Sequence, residues 1–202
     1  MRKWILPTPL IFLTIFCLET QTAFSGNYWP LGDGLAWTYR APGADYSIEM
    51  TSYEEGFDRS YDWGSGYSHF TFRENVDGDI EIVGWSYWTQ GAFDPDFRTY
   101  DPPLLYFDFP LEVGKSWVSM NSSGGLVGEV LREETVTVPA GTFDVMVVKL
   151  ISLSAQDLVI AGEFYLAPGF GQVIHQGHGL VSFSGTVAVQ QLSWGSVKAL
   201  FR

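Results

Sequence analysis

The stretch Pro30-Leu31-Gly32-Asp33-Gly34-Leu35-Ala36-Trp37-Thr38-Tyr39-Arg40 decides the reading of the fold. Leu35, Trp37 and Tyr39 alternate with Ala36, Thr38 and Arg40, the two-residue period of a strand with one buried face. The approach to that strand reads P-L-x-x-G-x-x-W. Its Pro ends an irregular segment, its Leu anchors it, and its Gly allows a tight turn. The Trp then falls early on the new strand. The same spacing returns in Pro110-Leu111-Glu112-Val113-Gly114-Lys115-Ser116-Trp117, 80 residues later. Two copies predict two related halves, residues 26–108 and 109–202, each opened by the same device. The interval is too long for a solenoid repeat.

Working outward, Pro42-Gly43 turns the chain into a second strand at Tyr46–Tyr53. Glu54–Gly66, rich in Gly, Asp and Ser, reads as a loop. Tyr67–Asn75 reads as a strand with Phe70 and Phe72 on one face and His69, Thr71 and Arg73 on the other. Asp77-Gly78 is a hairpin signal, with Ile80–Thr89 as the partner strand. Gly91–Asp108 contains Pro95, Pro102 and Pro103 and predicts a long irregular connection, with a short extended piece at Leu104–Phe107. Such a connection serves either a functional loop or a crossover between sheet halves. Beyond it, strands are expected at Ser116–Asn121, Val127–Val138, Phe143–Ser154, Leu158–Leu166, Gln172–Gln176 and Val181–Leu192. Val138–Gly141 and Ala167–Gly169 are turns by their Pro and Gly. No window of about 12 residues has a helical period. With 15 Phe, 10 Tyr, 8 Trp and 22 Gly, the composition is that of a mainly β protein with little helix.

Residues 1–25 read as a secretory signal. Arg2 and Lys3 precede an apolar run from Trp4 to Leu18, and Ala23 and Ser25 suit cleavage before Gly26. The apolar core of about 15 residues is shorter than the roughly 20 that a spanning helix needs. The expected product is one exported β-rich domain, residues 26–202, periplasmic or extracellular, with no transmembrane segment. Cys17 is the only cysteine. It follows Phe16 rather than the small residue that lipid attachment favours, and it leaves with the signal. The mature chain then has no disulfide, no cysteine nucleophile and no iron–sulfur cluster.

The chain has 11 basic and 23 acidic residues. Without Arg2, Lys3 and Glu19 there remain 9 against 22, a net charge of −13. Nucleic acid binding needs clustered Lys and Arg to displace counterions, and no such cluster exists. The charge keeps an aromatic-rich exported protein soluble.

Candidate chemistry is sparse. His175-Gln176-Gly177-His178 has an H-x-x-H form, but positions three apart on a strand face opposite ways, so joint ligation needs a turn at Gly177. Asp77-Gly78-Asp79 with Glu81, and Asp94-Pro95-Asp96, offer oxygen ligands without the spacing of a calcium loop. No G-x-S-x-G is present, since Gly64-Ser65-Gly66 lacks the spacing. A carboxylate pair for hydrolysis is not singled out, and no metal, cofactor or catalytic residue is read. The aromatic residues are the better lead. Trp85, Tyr87 and Val83 are read on one face of their strand, with Trp88, Ile80 and Ile82 on the other. Trp63, Tyr61 and Tyr67 join Trp85 and Tyr87 as a candidate ligand-binding platform or pocket mouth, because aromatic faces take sugar rings or acyl chains.

The segments YWPLGDGLAWTY (28–39), PLEVGKSW (110–117), ETVTVPAGTFDVMVVKL (134–150) and FYLAPGFGQV (164–173) together resemble the TapB-like exported bacterial proteins, a group of β-rich domains of unknown function. The resemblance spans Tyr28 to Val173. The family often has a cysteine soon after the position of Phe143; here Val145 and Met146 stand there. The resemblance implies a strongly curved antiparallel sheet, a half-barrel or open barrel, and no catalytic residues. The functional expectation is a non-catalytic exported module that binds an apolar or amphipathic ligand, whether lipid, acyl or sugar, or a partner protein. The alternatives are a carboxylate-based extracellular hydrolase and a surface interaction or adhesion protein.

Overall fold

A computed structural model describes residues 28–53, 56–62, 66–89, 96–154 and 161–185. The signal segment, Trp63, the start of the expected strand at Leu158 and the end of the one at Leu192 lie outside the described residues.

The described residues form twelve strands and no helix. The first half contributes β1 (Leu35–Arg40), β2 (Asp45–Tyr53), β3 (Gly56–Asp62), β4 (Gly66–Glu74), β5 (Ile80–Thr89) and β6 (Asp96–Phe107). The second contributes β7 (Ser116–Met120), β8 (Gly125–Val138), β9 (Gly141–Ser152), β10 (Gly162–Ala167), β11 (Gly171–His175) and β12 (His178–Ser184). Their spatial order is β6-β5-β4-β3-β2-β1-β12-β11-β10-β9-β8-β7, so each half is a six-strand antiparallel meander. β1 pairs with β12, Trp37 opposite Phe183, and joins the meanders. The outcome is a nearly closed antiparallel barrel of two halves with one unsealed seam, where β6 meets β7.

The repeated approach is structurally equivalent in both halves. Gly34 and Gly114 have φ of 74° and 88°. The Gly34 N–H donates to the Met50 carbonyl at 2.9 Å, and the Gly114 N–H to the Val130 carbonyl at 2.8 Å. Each therefore ties the start of its half to the second strand of that half. Glycine is favoured because a left-handed backbone costs other residues about 1–2 kcal/mol.

Two expectations are corrected. The Glu54–Gly66 loop contains β3, paired to β2 over 56–61 and to β4 over 57–62. Its polar residues hid the period: Asp58 and Ser60 face away from the buried Arg59. The Gly91–Asp108 connection contains β6. Pro102 and Pro103 have no N–H to give a further strand, which suits an edge and leaves the seam unsealed. Side chains bridge the seam instead. The Leu105 N–H donates to Ser119 Oγ at 2.8 Å, Asn121 Nδ2 to the Pro102 carbonyl at 2.6 Å, and Arg98 Nη1 to the Ser123 carbonyl at 2.8 Å.

The barrel interior is packed with side chains. One cluster gathers Phe72, Ile82, Leu104, Phe107, Leu126 and Leu150 around Trp29, whose indole meets Phe72 at 5.3 Å and Phe107 at 5.0 Å. The other gathers Leu35, Trp37, Tyr39, Ile48, Val147 and Val173. Trp117 lies over its register partner Gly128, where any Cβ would collide with the indole. On the outer face Val118, Val127 and Ile151 stand side by side across β7, β8 and β9.

Candidate functional site

The functional reading starts at β3. Phe57, Arg59 and Tyr61 share its inward face, and Arg59 stands in register between Met50 and Phe70. A guanidinium is thus placed where the strand pattern asks for an apolar side chain. Arg59 is 1 % exposed. Its Cζ lies 4.4 Å from the Trp29 ring centroid, 5.0 Å from Trp37 and 5.6 Å from Tyr61. Such cation–π contacts contribute about 2 kcal/mol or more once desolvated. They do not take in-plane hydrogen bonds, and Nε and Nη2 have no hydrogen-bond partner. No ion pair among the described residues includes Arg59.

A chain of rings leads from this cation toward the rim. Tyr61 stands 5.0 Å from the His175 ring, which is 5.4 Å from Tyr39 and 5.8 Å from Tyr46. Tyr39 donates to the carbonyl of Gln172 at 2.6 Å. The H-x-x-H motif takes the turn it needed. Gln176 and Gly177 have φ of 51° and 81°, and His175 faces His178 in register across the β11–β12 hairpin. Both imidazoles share one phenol: Tyr46 Oη lies 2.7 Å from His175 Nδ1 and 3.4 Å from His178 Nδ1. Among the described residues, no three His, Cys, Asp or Glu side chains converge as metal ligands.

Burial, reinforced by the Arg59 charge and by His178, lowers the His175 pKa to about 3. The ring is therefore neutral near pH 7. Burial raises Tyr46 to about 12 and also raises Tyr39, Tyr61 and Tyr106. In all four tyrosines Arg59 pulls the other way. One buried positive charge thus acts on all five of these rings.

Beside this cluster an opening of about 150 Å³ is lined by the aromatic rings of Tyr61, Phe70, Phe72, Tyr106 and Phe164 and by the polar side chains of Glu163, Gln172, His175 and Gln176. That volume matches a cavity that holds benzene and is about half the smallest usual ligand pocket. A thinner crevice, with no room for water, runs between Trp29, Trp37, Met50 and Arg59, and Gln172 borders both spaces. The Gln172 Oε1 is buried without a partner.

Of the platform residues read from sequence, Trp85 and Tyr87 share one face of β5 and Tyr67 stands on the other face of the sheet. Tyr67 is on the outer face, stacked on Trp88 at 5.6 Å. Trp85 packs against the interior cluster and its Nε1 donates to Tyr100 Oη at 3.1 Å. Tyr87 stands opposite the buried Ser68. Trp63 lies outside the described residues. The expected faces of β5 are corrected by a bulge: Phe72 pairs with Ile82 and Thr71 with Gly84, so Val83 is the extra residue. Ile80, Ile82 and Trp85 consequently face inward together. Tyr61, read from sequence as part of the aromatic platform, lines the opening described above; Arg59 was missed because it fell in a stretch read as loop, and the F-x-R-x-Y alternation was the available signal.

Compared with known family models, curated proteins and solved structures, the chain matches none.

Proposed function

We propose that this chain is a non-catalytic exported binding module whose ligand is small and apolar or amphipathic. The observation that carries the reading is the opening of about 150 Å³ lined by five aromatic rings together with the polar side chains of Glu163, Gln172, His175 and Gln176. Aromatic walls with a few convergent polar groups are the usual build of a ligand site. The packed interior favours a ligand of roughly one ring over a long acyl chain. A carboxylate pair that would support the hydrolase alternative does not line the opening, where Glu163 is the one carboxylate among the described residues.

Native mass spectrometry of the processed protein, purified from the exported compartment, tests this. The expected result is an added small mass that is lost on denaturation. A bare polypeptide mass after gentle isolation, together with no shift of the Phe70, Phe72, Tyr106 and Phe164 resonances by small aromatic probes, overturns it.

A further inference from the structure

We propose that the ligand of this pocket is a small carboxylate, with its ring or short chain against Phe70, Phe72, Tyr106 and Phe164 and its charge turned toward Arg59 and Gln172. The inference rests on the binding reading above and adds the charge of the ligand.

Burying Arg59 is costly. Removing an unpaired ion from water costs several kcal/mol even after relaxation. Aromatic contacts offset part of that, but two of its nitrogens remain without an acceptor. An apolar side chain at this position, between Met50 and Phe70, would fill the same space without the penalty. A cation retained there is explained by an anion seated in the adjoining pocket, within reach of its charge.

Location supports the same conclusion. Gln172 borders both the Arg59 crevice and the pocket, and the Tyr61 ring borders the pocket while lying 5.6 Å from the guanidinium carbon. The Arg59 charge is felt at Tyr61, Tyr106 and His175, all of which line the pocket. The opposing charge is Glu163, whose carboxylate is 4.0 Å from Arg132. The protein as a whole is strongly negative, so surface charge does not draw an anion in. Selection must come from this interior cation.

The test uses benzoate and its neutral counterpart benzamide, read by chemical-shift titration of the full processed chain. Benzoate is expected to bind about ten- to a hundredfold tighter, the range of a charge pair acting through space in a partly buried site. Arg59→Met should bring benzoate to the level of benzamide and leave benzamide unchanged. Glu163→Gln, at a partly exposed position, should tighten benzoate alone. Equal binding of both probes by the unmodified protein overturns the carboxylate inference and leaves the pocket reading standing. Binding of neither sinks the pocket reading and this inference with it.

Discussion

The guanidinium carbon of Arg59 lies 4.4 Å from the centroid of the Trp29 indole, deep inside the barrel. The pair joins the segment before β1 to β3. Trp29 supplies a large apolar surface, whereas Arg59 brings a desolvation cost. Arg59→Met should therefore leave stability within about 1–2 kcal/mol of the parent, or raise it. Trp29→Ala should cost about 3–5 kcal/mol. Urea unfolding of both variants checks this. A loss in Arg59→Met as large as in Trp29→Ala would make the cation a structural keystone and remove the case for a ligand.

His175 predicts an acid-sensitive fold. Its folded pKa of about 3 lies below the ordinary value of 6.5. The unfolded chain therefore takes up a proton between those values that the folded chain refuses. Stability at neutral pH is lost as pH falls below about 6.5, by up to about 1.4 kcal/mol per pH unit, until pH approaches the folded value. His175→Phe should flatten that part of the profile. Carboxylates titrate alike in both proteins, so the difference between the two curves isolates His175. Parallel curves from pH 7 to pH 4 would refute the assignment.

Gly34 and Gly114 test the relation between the halves. Both have positive φ and both donate to the second strand of their half, with nothing near the site of an added Cβ. Alanine at either should cost about 1 kcal/mol through backbone conformation alone. Asparagine, which tolerates this region better, should cost less at both. Thermal denaturation of the four single variants reads the comparison. A large loss at one position and none at the other would show that the shared spacing does not carry a shared role.

The legibility of the chain follows the same physics. Leu35, Trp37 and Tyr39 alternate cleanly because β1 has one buried face, so that strand and its repeated approach can be read directly. Asp77-Gly78 announces its hairpin because Gly78 needs a positive φ, here 87°. β3 is obscured because its central inward residue is Arg59, which breaks the apolar period. β6 is obscured by Pro102 and Pro103, which exclude a central strand but not an edge. The bulge at Val83 inverts the faces of β5 beyond it, and residue types do not reveal it. The site itself depends on pairings between distant strands. Tyr46 meets His175 only because β1 pairs with β12.

Asn121 predicts how the open seam is held. Its Oδ1 accepts from the backbone N–H of Ser123 at 2.8 Å and of Gly124 at 3.0 Å, which shapes the β7–β8 turn. Its Nδ2 donates to the Pro102 carbonyl at 2.6 Å and so reaches across to β6. One side chain thus has two separable tasks. Asn121→Asp keeps both acceptor bonds of the turn and loses the donor to β6. It should cost about 1 kcal/mol, because an acceptor now faces the Pro102 carbonyl. The loss should appear as faster amide exchange at Leu105, whose N–H bonds to Ser119 across the same seam. Asn121→Ala gives up all three bonds and should cost about 2 kcal/mol or more, with faster exchange at Ser123 and Gly124 as well. If both variants exchange alike at Leu105 and neither differs from the parent there, the seam is held by the packing of β6 against its neighbours and not by Asn121.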